Sequence, residues 1–322
     1  MELAEKILKG DVPAAARLIS YIENDAPDAA AEMDHLYPHT GRAYIIGVTG
    51  SPGAGKSTLT GNLITFFRKE QNKVGVIAID PSSAFTGGAI LGDRVRMQEH
   101  GADKEVFIRS LATRGWVGGL AKAAIGAIHV MDAMGKDIIL VETVGSGQIE
   151  IDIARAADTT IVVLTPAAGD EIQMMKAGIL EVADILVVNK ADKGGAENIK
   201  TALEVMLQMK NNRPGAWRPL IVLTESVYNK GTEELFREIL RHREFLAASG
   251  ELQKHRKQRA KLELLETMEG FFKDLIHGID EGEFVEKLVD DLLRGRTTPH
   301  AAALKITQRL TGELCRLKDS QK

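Results

Sequence analysis

One nine-residue run constrains this chain more than any other feature: Gly50-Ser51-Pro52-Gly53-Ala54-Gly55-Lys56-Ser57-Thr58. It follows a Val/Ile-rich stretch, Ile45 to Thr49, and opens into a helical pattern from Ser57 to Arg68. Gly-x4-Gly-Lys-Ser/Thr between a strand and a helix is a phosphate-binding loop. Its glycines let successive backbone N–H groups turn inward around phosphate oxygens, Lys56 reaches the β and γ oxygens, and the Ser57 hydroxyl is offered to Mg2+. A loop of this kind requires an α/β framework around it. The expected framework is present as short apolar runs at Val74 to Ile79, Ile138 to Val141, Thr160 to Leu164, Ile185 to Val188 and Leu220 to Leu223, alternating with helical patterns. Continuous β-branched runs of this length predict strands buried on both faces, joined by right-handed crossovers. The predicted fold is α/β, a doubly wound and mainly parallel sheet.

The predicted organisation is a helical N-terminal extension over 1–41, the α/β domain over 42–248 and a helical dimerisation region over 249–322. In the last region Leu262, Leu265, Met268, Phe272 and Leu275 form an apolar stripe, which must be buried against the core or against a second subunit. Composition narrows the partners. Forty-one Lys and Arg against 45 Asp and Glu leave a net charge of −4, with no positive surplus to attract nucleic acid or anionic lipid. No apolar run is long enough to span a membrane. The single cysteine, Cys315, has no intramolecular disulfide partner, and the chain starts without an apolar leader, so the expected compartment is the cytoplasm.

Further motifs lie at predicted strand ends, where open α/β sheets bind ligands. Ile185 to Val188 leads into Asn189-Lys190-Ala191-Asp192. A carboxylate at Asp192 can accept from N1–H and the exocyclic amine of guanine, whereas adenine presents an acceptor at N1 and leaves the carboxylate unpaired. Taken alone the tetrapeptide equally describes a polar turn; beside the phosphate loop it implies GTP over ATP. Asn189 is then expected to bridge the loop and the base, and Thr224-Glu225-Ser226 to present a backbone amide to the guanine O6. Asp80 and Glu142 end two other strands and should face the phosphates. Glu142-Thr-Val-Gly145 stands where many GTPases carry Asp-x-x-Gly, with a carboxylate for Mg2+ and a Gly145 N–H placed to sense the γ-phosphate. Gly145-Ser-Gly147-Gln148 has the backbone freedom of a switch. The long polar loop from Pro81 to Met97 reads as a second switch; Asp93 within it is a metal or water-positioning candidate that reads also as a helix N-cap. Asp170 to Lys176 is a third mobile segment or a solvated helix start. The candidate catalytic residues are Lys56, Asp80, Asp93, Glu142 and Gln148, and the candidate metal ligands Ser57, Asp80, Asp93 and Glu142. Arg94, Arg96 and Arg114 are candidate transition-state cations.

Taken together, Gly-Ser-Pro-Gly-Ala-Gly-Lys-Ser, the Asp80 to Met97 segment, Val-Glu-Thr-Val-Gly-x-Gly-Gln, Gly-Asp-Glu-Ile-Gln-x-x-Lys and Val-Asn-Lys-Ala-Asp resemble the methylmalonyl-CoA mutase-associated GTPase family, also labelled lysine/arginine/ornithine transport kinases. Leu36-Tyr-Pro-His-Thr-Gly-Arg42 and Thr298-Pro-His-Ala-Ala-Ala303 extend the resemblance over almost the whole chain. It implies a homodimeric GTP-hydrolysing chaperone, using GTP/GDP and Mg2+, that gates adenosylcobalamin loading and protects or reactivates a cobalamin-dependent acyl-CoA mutase. It also implies that Asp170 to Lys176 relays nucleotide state to the partner. The chain lacks the cobalamin pattern Asp-x-His-x-x-Gly, which places mutase chemistry on a separate chain. Two other readings compete: a nickel-insertion GTPase of hydrogenase or urease maturation, and a kinase of an amino-acid transport system.

Overall fold

The computed structural model describes residues 2–80, 100–112, 119–143, 154–166, 181–209, 215–278 and 283–319, with Asp80 described in its main chain only. Asp93, Arg94, Arg96, Arg114, Gly145, Gly147, Gln148 and the segment Asp170 to Lys176 lie outside the described residues. The chain divides into two units, Met1–His255 and Arg256–Lys322.

In the first unit seven parallel strands form one sheet: β1 (Tyr44–Gly50), β2 (Val74–Asp80), β3 (Val106–Ala112), β4 (Ile138–Thr143), β5 (Thr159–Leu164), β6 (Ile185–Asn189) and β7 (Leu220–Thr224). Their spatial order is β3-β2-β4-β1-β5-β6-β7. The chain moves outward from β1 to one edge, returns through β4, and then builds the other side from β5 to β7. The end of β1 therefore sits at the reversal point, where a crevice opens beyond the strands' carboxyl ends. The six apolar runs all form strands. β3 is an additional strand that their pattern does not announce, because Arg109 and Ser110 interrupt its apolar character. It is an edge strand, and the Arg109 guanidinium is neutralised there by Glu23 at 2.7 Å and accepted by the Ser20 hydroxyl at 2.8 Å.

Side-chain alternation sends successive residues of the central strands into separate cores. Tyr44, Ile46 and Val48 of β1 pack with Leu59, Leu63 and Phe67 of α4 (Lys56–Lys69) and with Leu235 and Ile239 of α7 (Thr232–Ser249). On the other face, Ile45, Ile139 and Val141 pack with α5 (Gly119–Ala133) and with the N-terminal helices α1 (Glu2–Leu8), α2 (Val12–Glu23) and α3 (Asp28–Leu36). Val162, Leu164, Leu186 and Val188 meet α6 (Ala196–Met209). The N-terminal helices thus contribute to the main core. Ile7, Leu18, Ile19 and Leu36 are fully buried, and Glu32 caps α1 by accepting from Ala4 N at 2.8 Å.

The segment entering β1 is held by a buried carboxylate. Asp132 of α5 accepts from the amides of Gly41, Arg42 and Ala43 at 2.6, 3.2 and 3.0 Å. Gly41 has φ +90°, a left-handed conformation that lets three successive N–H groups converge on one side chain. At the opposite end of the sheet from the crevice, Tyr44 OH, Thr159 Oγ1 and His242 Nδ1 form a buried chain of hydrogen bonds with spacings of 2.5 and 2.8 Å. Burial pushes the His242 imidazole down to about 4, keeping it neutral.

The second unit contains most of α8 (Glu251–Gly278), with α9 (Glu283–Leu293) and α10 (Pro299–Asp319). Leu288 and Ala302 are buried, and the Arg309 guanidinium lies 4.6 Å from the centre of the Phe284 ring. Leu262, Leu265, Met268, Phe272 and Leu275 remain about half exposed along α8.

Candidate functional site

Each feature of the phosphate loop has a physical cause in its surroundings. Gly50 ends β1 in register with Val163 of β5, at φ +145°. A Cβ there would lie 2.1 Å from the Val163 carbonyl oxygen, so no other residue fits without displacing the sheet. Gly55, at φ +92°, precedes α4, and a Cβ would lie 2.3 Å from Asn189 Nδ2. The left-handed turn at Gly55 directs the first amides of α4 towards the crevice, where a helix N-terminus favours anions. Lys56 is 5% exposed, and its ammonium donates to the carbonyls of Gly50 and Ser51 at 2.8 Å each. Ser57 Oγ donates to Glu142 Oε1 at 2.6 Å, joining the start of α4 to the end of β4. Just behind this pair, Thr143 Oγ1 donates to Thr49 Oγ1 at 3.0 Å.

The second half of the site is organised by Asn189, which is 2% exposed at the end of β6. Its Nδ2 donates to the carbonyl of Ala54 at 2.7 Å. Its Oδ1 accepts from Thr224 Oγ1 at 3.0 Å, Ser226 N at 3.1 Å and Ser226 Oγ at 2.8 Å. One amide side chain therefore ties the phosphate loop, β6 and the turn after β7 into one assembly. Lys190 has φ +58°, and its Nζ reaches across to the Gly53 carbonyl at 2.6 Å. This reversal leads into a short turn, Ala191–Lys193, that carries Asp192 exposed at the crevice edge.

These elements enclose a cavity of about 600 Å³, within the range of about 300–1,000 Å³ that holds small ligands. Pro52, Gly53 and Gly55 to Thr58 line one part of it, Glu142 the floor beside Ser57, and Asn189, Lys190 and Asp192 with Glu225 and Ser226 the other. Ser51, Ala54 and Thr224 are buried and support the wall from behind. Of the described sequence candidates, all line this one crevice except Asp80, Gly50, Ser51, Ala54 and Thr224. Asp80 ends β2 in the sheet, next to β4. The cavity also has lining residues that the motifs do not name, Lys193, Val227 and Tyr228 among them. The available signal for the last two was a pair of large apolar residues set in the polar turn Glu225-Ser-Val-Tyr-Asn-Lys230.

Because Asn189 joins three elements, an Asn189→Ala variant should lose about 2–4 kcal/mol of stability by stranding buried polar partners in the phosphate loop and in the turn after β7. Denaturant unfolding measures this; a loss below about 1 kcal/mol would show that these elements are held independently of Asn189.

Comparisons with known proteins agree with this architecture. A protein of Pyrococcus abyssi that bears a provisional GTPase name is 49% identical over 314 residues, covering 97% of each chain. The Caenorhabditis elegans protein named mitochondrial methylmalonic aciduria type A homolog is 31% identical over 325 residues, covering 94% of this chain and 80% of that one. A solved structure described as LAO/AO transport system kinase superposes with a TM-score of 0.70 at 26% identity, over 96% of this chain and 97% of the other. The description of the family "Methylmalonyl Co-A mutase-associated GTPase MeaB" matches residues 15–278, and the chain, with its P-loop α/β fold, belongs to that family of GTPases.

Proposed function

We propose that the crevice holds GTP and GDP with the phosphates on residues 50–58 and the guanine at Asn189, Lys190 and Asp192, and that nucleotide state gates adenosylcobalamin loading of a partner acyl-CoA mutase. The observation that carries this reading is the Asn189 bridge, which couples the phosphate-loop carbonyl of Ala54 to the base-side turn in one rigid cavity. The Ser226 amide, at the cavity wall, can be shared between Asn189 Oδ1 and the guanine O6.

The oxygen donors at the floor suit a hard divalent cation: a hydroxyl at Ser57 and a carboxylate at Glu142, already 2.6 Å apart. Mg2+ would be held by Ser57 and Glu142, with Asp80 and Asp93 as further candidates, and would supply charge neutralisation between the β- and γ-phosphates. Lys56 then faces the charge that develops as water attacks the γ-phosphorus. Gln148 and Gly145 belong to the loop that reports the γ-phosphate. Turnover by the chain alone is slow in this reading, and the partner accelerates it by ordering one of Arg94, Arg96 or Arg114 against the developing charge.

The protein acts as a homodimer, joined through residues 249–322. The half-exposed Leu265, Met268 and Phe272 of α8 support that assignment. Its place is the cytoplasm, consistent with the solitary cysteine; no described helix is long and apolar enough to cross a membrane. The family's association with methylmalonyl-CoA mutase supports the choice of partner.

The test is retention from native lysate on the immobilised protein, loaded with GDP or with a non-hydrolysable GTP analogue. A cobalamin-dependent mutase should be captured, with recovery that differs between the two nucleotide states. Its absence in both overturns the chaperone assignment.

A further inference from the structure

The turn after β7 carries two largely exposed apolar side chains. Val227 and Tyr228 lie in the short helical turn Ser226–Tyr228 and are 80% and 65% exposed, yet both line the cavity, directly after Ser226, which is hydrogen-bonded to Asn189. Their exposure does not come from a loose loop. Glu225 and Lys230 exchange main-chain hydrogen bonds at 3.0 and 3.3 Å, and their side chains pair at 3.0 Å. Asn62 of α4 donates to the Ser226 carbonyl at 2.7 Å. Asn229 takes the left-handed conformation at φ +53°, and Gly231 closes the loop at φ +75°, where a Cβ would lie 2.1 Å from the Leu223 carbonyl oxygen. The Lys230 ammonium lies 5.8 Å from the centre of the Tyr228 ring. The main chain that carries these two exposed apolar side chains is therefore preorganised at the cavity wall. Lys190 crosses the same region from the end of β6 to the Gly53 carbonyl, so its four-carbon stem borders it too.

We propose that Val227 and Tyr228 form the apolar platform against which the face of the bound purine lies. This deepens the guanine-nucleotide reading and rests on it: Asp192 reads the edge of the base and decides its identity, while Val227 and Tyr228 bury its face and set affinity whatever the base. A flat π-surface gains from contact with an aromatic ring or an aliphatic stem without regard to its edge pattern. Because the platform is held rigid before the ligand arrives, little ordering cost is incurred on binding.

The experiment is calorimetric titration of GDP, ADP and inorganic pyrophosphate, each with Mg2+, into the full chain and into the double variant Val227→Ser/Tyr228→Ser. Both positions are exposed, and equal melting temperatures verify that the turn is intact. GDP should bind the variant about 10- to 100-fold more weakly. Pyrophosphate affinity should be unchanged, and ADP should weaken by the same factor as GDP, so that the preference for guanine is retained. GDP affinity within about two-fold of the parent overturns the platform, as does a parallel loss of pyrophosphate binding, which would place the effect in the phosphate loop. A parent chain that binds pyrophosphate but not GDP would instead overturn the guanine-nucleotide reading itself, and the platform with it.

Discussion

An Asp192→Asn variant is expected to shift preference from GTP to xanthosine triphosphate by about 10²- to 10⁴-fold, from two charge-assisted hydrogen bonds at about 1.5–3 kcal/mol each. In the proposed pose the Asp192 carboxylate accepts from N1–H and the exocyclic amine of guanine. An asparagine keeps one acceptor but turns an N–H donor towards that amine. Xanthine carries a carbonyl at the same position and accepts from the new donor. The fold should be unaffected, because Asp192 is exposed, and the hydrogen bonds that fix the turn come from its neighbours: Asn189 is buried on Ala54, and Lys190 reaches Gly53. Competition between GTP, xanthosine triphosphate and ATP measures the shift. Retained GTP selectivity in the variant would move the base elsewhere.

Lys56→Ala is expected to lower GTP turnover by at least about 10²- to 10³-fold, the usual cost of removing one preorganised donor from a developing anion. The ammonium is held against the Gly50 and Ser51 carbonyls within the loop and is 5% exposed, so it stands in the crevice before any phosphate arrives. Water cannot replace it at equal strength, since a fixed charge in a partly desolvated site needs no reorganisation as the γ-phosphate leaves. The variant should remain folded: Leu59, Leu63 and Phe67 of α4 stay buried against β1. Single-turnover hydrolysis measures the rate. An unchanged rate would mean that the residue 50–58 loop does not hold the triphosphate.

Much of this is legible in the sequence. The strand-loop-helix arrangement around Lys56 requires a parallel sheet, and five of the six apolar runs that formed its strands are buried on both faces, which is why they read as continuous rather than alternating; the sixth, Leu220 to Leu223, is only partly buried because β7 is an edge strand. β3 was not legible, because an edge strand needs less apolar surface and its Arg109 is satisfied by Glu23 and Ser20, more than eighty residues earlier in the chain. The conformation of the Gly-Arg-Ala segment before β1 has the same character: it is explained by a carboxylate about ninety residues later, Asp132. For the site, the motifs named residues from both halves of the crevice, since phosphate and base each demand particular groups at fixed spacing. They did not name Val227 or Tyr228, because an apolar side chain in a turn has no chemical signature until its exposure and its neighbours are known.

The sequence alone determined the local conditions: which loop can wrap a phosphate, which side chains can read guanine, and which runs become strands. These follow from short-range backbone chemistry and side-chain type. The tertiary structure decided what those pieces do to one another. Only the fold places Glu142 2.6 Å from Ser57 across a separation of 85 residues, and makes the single side chain of Asn189 the joint between Ala54 and Ser226. Only the fold leaves Val227 and Tyr228 bare at the cavity wall. The physical reason is that strand order, set by where the crossovers bury their helices, brings the carboxyl ends of β1, β4 and β6 near one another at one end of the sheet.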